Sequence, residues 1–353
     1  MNRTAQVSVD CLQKFCLAVL RAAGLDEPKA LIVTESLLFA DMRGLASHGV
    51  ARLAEYLTRV NAGVMNLDPS MDVEQDHPAS ALLNARNGLG QIAGAKAMAL
   101  AMAKAKASGA GLVGVKNSNH FGIAAYFAMQ AVQENMIGLV ITNAAPSIAP
   151  YGTKTALLGT NPICVAIPAA TQQPIVLDMS TSVVARGKIW LAGLAGKKIP
   201  LGWALDKDGK PTDDPHAAQE GTLEAIGGPK GSGLALVIDI LCGVLTGTTI
   251  TGDVKLIADL SGPMNTTHLL MAINVASFVE VEQFKKNIDA VILRIKSLPS
   301  AGGSSIYLPG EIEFNLENMR KIEGISLPAN VCADLDKLAE RYGVPKLGLA
   351  GAK

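Results

Sequence analysis

The sequence has no excess of charge of either sign. Lys and Arg together number 31, as do Asp and Glu, so the formal net charge at neutral pH is zero. Proteins that bind nucleic acid or anionic lipid present a basic field to it. The balance argues against nucleic acid and against a charged membrane surface as partners.

Cysteine and histidine are scarce, and neither shows a metal-binding spacing. An odd, scattered set of cysteines without a CxxC pair argues against a disulfide framework and against a structural zinc site. We expect reduced thiols that are mostly buried, and no metal in the site. The residues concerned are Cys11, Cys16, Cys164, Cys242 and Cys332, and His48, His77, His120, His216 and His268.

Long apolar runs are also missing. The opening MNRTAQVSVD lacks an apolar signal core, and the later stretch GSGLALVIDILCGVLTG is too short to cross a bilayer and contains Asp239. We therefore expect no membrane segment and a cytoplasmic location. With 353 residues, 49% of them hydrophobic, the chain can form two domains with a large core. So much apolar surface without a membrane segment also predicts a subunit interface.

Aromatic residues make up only 4% of the chain, yet one tyrosine belongs to a regular pattern. The stretch GLASHGVARLAEY places His48, Arg52 and Tyr56 at intervals of four. On a helix these side chains share one face, where they could hold a small anion. Two other interpretations stay open: nearby aliphatic residues could make the stripe the solvated side of a packed helix, and Ser47 could cap that helix.

From about residue 80 the sequence alternates between predicted strands and helices, which indicates an α/β region. Within it, GLGQIAG resembles a dinucleotide fingerprint but has one residue too many between its second and third glycines. A Rossmann site also requires an acidic residue about 20 positions further on. None occurs between Asp76 and Glu134. We reject the classical Rossmann fold and expect these glycines to cap a helix or to let it pack closely.

The segment KNSNHFG places His120 between a predicted strand and a helix. Ligands collect at strand ends in α/β sheets, and histidine gives and takes protons near neutral pH. His120 is therefore a candidate acid and base. The alternative is an imidazole at a helix N-terminus that hydrogen-bonds to backbone.

Three turn-rich segments interrupt apolar strands further along. The stretch 143–168 is rich in glycine and proline, an apolar strand ends at Asp178, and Lys230 lies between glycines at a helix start. Backbone amides, a lysine and a helix N-terminus are groups that hold phosphates. Together the segments predict a phosphate-bearing cofactor, although each alone could be an ordinary turn.

Seven motifs in order then resemble one family. They are ADMRGLASHGVARL, NSNHFG, GTNPICVAIP, LDMSTSVVARGKI, IPLGWALDKDGKPTDDP, GGPKGSGLAL and IYLPGE, spread over residues 40–311. They resemble the malate/L-lactate dehydrogenase family of NAD(P)-dependent oxidoreductases, which includes malate, sulfolactate and ureidoglycolate dehydrogenases. The resemblance covers nearly the whole chain.

The resemblance implies an α/β, non-Rossmann fold. It implies a mixed-sheet NAD(P)-binding domain at 75–225, and a mostly helical domain for substrate and dimerisation built from 1–74 plus 226–353. It also implies a homodimer with active sites near the subunit interface.

For the reaction, the resemblance implies hydride transfer between NAD or NADP and a small 2-hydroxy or 2-oxo acid. His120 falls at the position of the proton donor and acceptor, with Ser47 and His48 beside the reacting group. Arg52 and Tyr56 fall where the family holds the substrate carboxylate. A histidine and an arginine able to form paired bonds suit this chemistry.

The resemblance also implies a set of cofactor-binding residues. They comprise the segment that begins at His120, the loops after two later predicted strands, two lysines and a turn near residue 310. The residues are His120, Phe121, Gly122, Ile123, Asn143, Ala144, Asp178, Met179, Ser180, Lys188, Lys230, Leu308, Pro309, Gly310 and Glu311. His268 falls in a strand where members often have a polar residue, and a core histidine is the alternative.

Two other functions stay open at this point. A cyclic ketimine reductase needs the same hydride geometry and the same carboxylate anchor, and a non-catalytic nucleotide-binding homologue could keep the scaffold. The chain has all four candidate residues of the site, His48, Arg52, Tyr56 and His120. Their presence together argues against a non-catalytic homologue.

Overall fold

A computed structural model describes residues 4–347 of the chain. Their strands are β1 (Thr4–Val7), β2 (Asp72–Asp76), β3 (Ser80–Asn84), β4 (Ala110–Ser118), β5 (Met136–Thr142), β6 (Ile163–Ile167), β7 (Ile175–Met179), β8 (Ala204–Leu205), β9 (Thr222–Leu223), β10 (Thr266–Asn274) and β11 (Ile325–Pro328).

The helices in the same residues are α1 (Val9–Ala22), α2 (Glu27–Met42), α3 (Ala51–Asn61), α4 (Gly90–Ser108), α5 (Ala124–Gln133), α6 (Arg186–Leu194), α7 (Pro215–Glu220), α8 (Pro229–Asp239), α9 (Val281–Lys296), α10 (Glu311–Glu323) and α11 (Ala329–Tyr342). Helix α8 continues into a π-helical turn at Ile240–Val244.

The centre of the fold is a mixed seven-stranded sheet with the order β2-β3-β4-β10-β5-β6-β7. Strands β3 and β4 are parallel, and every other neighbouring pair is antiparallel. It follows that β4, β5 and β7 run in one direction and end at the same edge of the sheet, where β10 begins. The α/β class and the mixed sheet predicted from the sequence are confirmed.

A second core joins the two ends of the chain. Buried side chains of α1, α2, α3 and α11 pack together, and β1 pairs with β11 beside them. Helix α2 also packs against α4 and α5 of the sheet layer. The structure therefore places N- and C-terminal helices in one cluster, and α2 lies between that cluster and the sheet.

The predicted division into 1–74 plus 226–353 and 75–225 stays a prediction. Strand β10 belongs to the later segment by chain position, yet it lies at the middle of the sheet between β4 and β5. Residues 1–3 and 348–353 of the predicted domains lie outside the described residues.

The glycines of GLGQIAG act as spacers, as predicted. Gly90 is the first residue of α4, and a Cβ there would lie 2.3 Å from the carbonyl oxygen of Asn119. A Cβ on Gly94 would lie 2.6 Å from the ring of Phe127. These positions let α4 lie directly against the loop after β4 and against α5.

The cysteines are mostly buried, as predicted. All five are free thiols, and four of them are buried. Among residues 4–347, no helix has the length and apolar composition that a membrane span requires.

Replacing Gly138 of β5 by alanine is expected to destabilise the protein. A Cβ there would lie 2.3 Å from the carbonyl oxygen of Ala128 in α5, and backbone cannot move aside as a flexible side chain does. We expect a loss of roughly 1–3 kcal/mol in the free energy of unfolding, measured by urea denaturation. The control is Gly187→Ala on α6, where no atom lies within 4 Å of the added methyl group. Equal stability of the two variants would contradict this packing argument.

Candidate active site

The stretch that contains His48, Arg52 and Tyr56 is not one continuous helix. His48 ends a short 3-10 turn, Ala46–His48, and α3 begins only at Ala51. Gly49 between them is extended, with φ −87° and ψ −152°. The predicted single helical stripe is therefore wrong at His48, because the backbone changes direction at Gly49. Arg52 and Tyr56 still share one face of α3.

The prediction that Ser47 caps this helix is also wrong. The N-cap residue of α3 is Val50, and no side chain caps the helix there. The Ser47 hydroxyl is exposed and hydrogen-bonds to Nδ1 of His48 at 2.8 Å. Ser47 thus contacts the imidazole instead of the helix end.

His120 is the point where the two parts of the site meet. The Tyr56 hydroxyl lies 2.7 Å from Nδ1 of His120, across 64 residues of sequence. The His48 ring stacks on the His120 ring, with centroids 5.3 Å apart. The structure therefore brings three of the predicted site residues together, with Tyr56 and His48 both in contact with the His120 imidazole.

The Tyr56 hydroxyl suits both protonation states of that imidazole. It donates to Nδ1 when this atom is bare and accepts from it when it carries a proton, because a phenol does both. Either way Nε2 of His120 stays available for another partner. Burial raises the pKa of Tyr56 well above its usual value, so the phenol keeps its proton.

Both stacked histidines are neutral at physiological pH. Desolvation, followed by the positive charge of Arg52, lowers the pKa of His48 to about 4. The pKa of His120 lies well below 6.5, first through desolvation and then through His48 and Arg52. A neutral imidazole in this setting is ready to accept a proton.

Asn119 holds the loop that carries His120, a role the sequence analysis did not assign. Its amide Nδ2 donates to the carbonyl of Asn87 at 3.1 Å, to the Asn87 side chain at 3.0 Å and to the carbonyl of Gly88 at 2.9 Å. The available signal was a polar residue directly before a candidate histidine at a strand end.

Arg52 lies half-buried beside the histidines. Its Nε donates to the carbonyl oxygen of Ser47 at 2.7 Å, and its Nη1 pairs with Glu55. These two contacts fix the direction of the guanidinium. Its fork has five N–H donors, so several remain for a further acceptor.

The predicted cofactor segments meet at the common edge of β4, β5 and β7. The run His120 to Ile123 follows β4, Asn143 and Ala144 follow β5, and Asp178 to Ser180 end and follow β7. The carboxyl oxygen of Asp178 accepts a hydrogen bond of 2.9 Å from the amide of Ala125, in the first turn of α5. Burial raises the pKa of Asp178 to about 6.

Several polar atoms at this edge are buried without a partner among residues 4–347. They are Oδ1 of Asn119 and the hydroxyls of Thr266 and Thr267. Buried polar groups normally have a hydrogen-bond partner. A polar ligand at this edge fits them, and the neighbouring strand ends supply backbone amides as well.

The remaining predicted cofactor residues lie at different distances from this edge. Lys230 is exposed in the first turn of α8. The segment just before it is joined to the loop after β7, because the amide of Ile226 donates a 2.8 Å hydrogen bond to the carbonyl of Thr181. Lys188 is exposed on α6. The late turn packs on the beginning of β7, where Val176 donates to Pro309 at 3.0 Å and a Cβ on Gly310 would touch it.

Glu311 of that turn is engaged locally. Its carboxylate accepts hydrogen bonds from the amide of Leu308 at 2.9 Å and from the ammonium of Lys296 at 2.6 Å. These contacts hold the turn together whatever else it binds.

His268 lies behind the site, inside the sheet. It is fully buried, and its two ring nitrogens hydrogen-bond to the hydroxyls of Thr142 at 2.7 Å and Ser118 at 2.9 Å. Phe121 stacks on the ring with centroids 4.3 Å apart. Desolvation lowers the pKa of His268 to about 3. These contacts describe a core histidine that supports the segment after His120.

Residues 4–347 contain no cluster of three or more histidine, cysteine or acidic side chains arranged to hold a metal ion.

Comparisons with known proteins identify the family. The family model described as malate/L-lactate dehydrogenase matches residues 7–336. The L-sulfolactate dehydrogenase of Methanocaldococcus jannaschii is 40% identical over 332 residues, which cover 94% of this chain and 96% of that protein. The malate dehydrogenase of Pyrococcus horikoshii is 39% identical over 351 residues, 97% of each chain.

Two further relatives name different cofactors. The ureidoglycolate dehydrogenase (NAD(+)) of Escherichia coli K12 is 33% identical and covers 91% of this chain and 92% of that protein. The (2R)-3-sulfolactate dehydrogenase (NADP(+)) of Chromohalobacter salexigens is 34% identical, with 93% and 96% coverage.

Solved structures agree with this assignment. The sulfolactate dehydrogenase from Methanocaldococcus jannaschii superposes with a TM-score of 0.92 at 39% identity, covering 96% of this chain and 98% of that one. The Δ1-piperideine-2-carboxylate reductase from Pseudomonas syringae gives a TM-score of 0.84 at 27% identity, with 95% and 99% coverage.

These matches define an NAD(P)-dependent dehydrogenase of hydroxy acids. The chain belongs to the malate/L-lactate dehydrogenase family.

His268→Gln is expected to destabilise the protein more at about pH 8 than at about pH 5. Between its unfolded pKa near 6.5 and its folded pKa of about 3, the unfolded chain binds a proton that the native state does not. Wild type therefore loses about 1.4 kcal/mol per pH unit through this group as the pH falls, and the variant does not.

Urea denaturation of wild type and His268→Gln at the two pH values measures the difference in their free energies of unfolding. We expect this gap to be smaller at about pH 5 than at about pH 8. His216→Gln, at an exposed histidine on α7, is the control and should show the same gap at both. A constant gap for His268→Gln would show that His268 is not held neutral.

Proposed function

We propose that this dehydrogenase oxidises a small 2-hydroxy acid of the malate, lactate or sulfolactate type to its 2-oxo acid, and catalyses the reverse reduction. His120 is the acid and base, with His48 and Ser47 beside the reacting group. Arg52 anchors the substrate carboxylate. The observation that carries this proposal is the assembly of Tyr56 and His48 around His120, at the edge where β4, β5 and β7 end.

Proton transfer follows from the contacts of His120. During oxidation, the tautomer of neutral His120 that carries its proton on Nδ1 donates to the Tyr56 hydroxyl, and its bare Nε2 takes the proton of the substrate hydroxyl. The phenol therefore supports the imidazolium that forms. Tyr56, predicted to hold the substrate carboxylate, has its hydroxyl on His120, so we assign it to orienting this ring.

The bound NAD or NADP supplies the nicotinamide carbon that accepts or gives the hydride. We propose that it lies along the common strand edge, held by His120 to Ile123, Asn143, Ala144 and Asp178 to Ser180. We propose Lys230, near the loop after β7, and Lys188 as phosphate partners. The turn Leu308–Glu311 packs on the beginning of β7, away from this edge, and we propose that it borders a more distant part of the cofactor. The unpartnered buried polar atoms at this edge support a polar ligand there.

The substrate anchor selects for a carboxylate next to the reacting carbon. Arg52 lies one helical turn before Tyr56, and its own contacts with Ser47 and Glu55 fix its direction. A paired bond to the substrate carboxylate then places the carbinol carbon between His120 and the cofactor. The names of the relatives support malate and sulfolactate as the first candidates.

A cyclic ketimine reductase is the second candidate. Its support is the close structural likeness to the piperideine-2-carboxylate reductase. A cyclic imine with an adjacent carboxylate requires the same hydride path and the same arginine anchor. The lower identity of that match places it after the hydroxy acids.

We also propose that the active form is a homodimer in the cytoplasm. Helix α8 and its π-turn expose apolar side chains on one face at helical spacing, which we name the α8 stripe: Leu236, Val237, Ile240, Leu241, Val244 and Leu245. Exposed apolar patches of this kind mark protein interfaces. The five free thiols are typical of a reducing compartment.

The substrate test is oxidation of NADH and NADPH by purified protein with oxaloacetate, pyruvate, sulfopyruvate or cyclic imino acids. We expect turnover with a 2-oxo acid. Replacing His120 by glutamine should lower kcat by about 10²–10⁴-fold, since it removes the acid and base. His216→Gln, at an exposed histidine, is the control.

The dependence of kcat/KM on pH shows whether His120 takes up or gives a proton in each direction of the reaction. Because the pKa of His120 is well below 6.5, kcat/KM for hydroxy acid oxidation should still be level at pH 6.5 and should fall only at lower pH, as the pH approaches that pKa. In the reduction, which requires the imidazolium, kcat/KM should rise as the pH falls. Unchanged turnover in His120→Gln would rule out this mechanism, and oxidation only with imines would favour the ketimine reductase.

The dimer is tested by charging the α8 stripe. Val237 and Val244 are each 52% exposed, and lysine at both positions should convert a dimer into a monomer in analytical ultracentrifugation. Ile322→Lys on α10, at a side chain that is 88% exposed and outside the stripe, should remain dimeric. A monomeric wild type, or a dimeric double variant, would contradict the proposed interface.

A further inference from the structure

The residue that carries this inference is Asp41, which lies on α2 and has no part in the mechanism above. Its side chain is buried, with 1% of the residue exposed. One carboxyl oxygen accepts a 2.7 Å hydrogen bond from the amide of Val50. A buried carboxyl group on a helix that is otherwise largely apolar requires a specific partner.

The contact of Asp41 with Gly49 is even closer. A Cβ on Gly49 would lie 2.0 Å from Oδ1, 2.1 Å from Cγ and 2.3 Å from Oδ2 of Asp41. The carboxyl group therefore fills the space in which any other residue at position 49 would carry its side chain. The φ of Gly49 is −87°, so its backbone does not itself demand glycine.

The contacted segment joins the two halves of the site. His48 stands immediately before Gly49, and the carbonyl of Gly49 accepts the first hydrogen bond of α3, 2.9 Å from the amide of Arg52. Fixing Gly49 and Val50 therefore sets the direction of His48 relative to the helix that carries Arg52 and Tyr56.

We propose that Asp41 is a positioning residue, whose carboxyl group packs on Gly49 and accepts from Val50 to hold His48 and Arg52 in register around His120. It touches neither substrate nor cofactor. This inference rests on the proposed function, in which Arg52 anchors the substrate and His48 flanks the reacting group.

Position 41 requires a side chain that packs on Gly49 and has an oxygen that accepts the hydrogen bond from Val50. It does not require a negative charge. Burial raises the pKa of Asp41 to about 7, so near neutral pH a large fraction of the side chain is already uncharged. Asparagine keeps the shape and one acceptor oxygen. It is therefore the conservative replacement, and alanine is the disruptive one.

The test uses Asp41→Asn, Asp41→Ala, Gly49→Ala and the double variant Asp41→Ala/Gly49→Ala, with the full chain. We expect Asp41→Asn to stay within about threefold of wild type in kcat/KM for the 2-oxo acid. Asp41→Ala and Gly49→Ala should each lose on the order of a hundredfold, shared between a lower kcat and a higher KM for the acid. The dissociation constant for NADH or NADPH should not change.

The double variant separates positioning from general damage. Because the alanine methyl group at 49 occupies the space that the carboxyl group vacates, the double variant should be no worse than Asp41→Ala alone. Independent defects would instead multiply to about ten-thousandfold. Multiplying losses, or wild-type kinetics in Asp41→Ala, would overturn the inference. If Asp41→Ala does not fold, Gly49→Ala decides: a loss of kcat/KM in a folded protein supports the inference, and wild-type kinetics overturn it.

A spectroscopic measurement keeps this test distinct from the proposed function. NMR of histidine-labelled protein should show shifted His48 and His120 ring resonances in Asp41→Ala and nearly unchanged ones in Asp41→Asn. If wild type turns over no acid or imine, the proposed function fails and the ring resonances still decide the role of Asp41. Unshifted resonances in Asp41→Ala would overturn that role.

Discussion

The site depends on one contact, that between the Tyr56 hydroxyl and Nδ1 of His120. It joins α3, which belongs to the core formed by both ends of the chain, to the loop after β4 at the edge of the sheet. A neutral imidazole requires a partner on one nitrogen if the other is to exchange protons in a fixed direction. The relative placement of the two cores is thus part of the chemistry.

Helix α2 maintains that placement. It is apolar on nearly all sides, as a helix between two packed layers must be, and it contacts α1 on one side and α4 and α5 on the other. Two of its three buried polar side chains contact segments of the site. Asp41 packs on Gly49 before α3, and the Ser36 hydroxyl lies 3.0 Å from where a Cβ on Gly122 would stand, in the loop after His120.

Local patterns in the sequence were sufficient for most elements of the sheet layer, including the strands on both sides of α4 and α5 and the spacer role of Gly90. They failed at His48, where helical spacing continued through Gly49 although the backbone did not. They also could not place β10 between β4 and β5, because strand order depends on pairing between segments about 150 residues apart. The contact of Tyr56 with His120 is of the same non-local kind.

Charge at the site follows from the same geometry. Desolvation, followed by His48 and Arg52, lowers the pKa of His120, so the free protein holds a neutral base next to an arginine. In the proposed function, a substrate carboxylate bound to Arg52 cancels part of that positive field. It therefore raises the proton affinity of His120 while the substrate is bound, when the hydroxyl proton must be taken up. Substrates without a carboxylate at this position lose the anchor and also this increase in basicity, which links recognition to proton transfer.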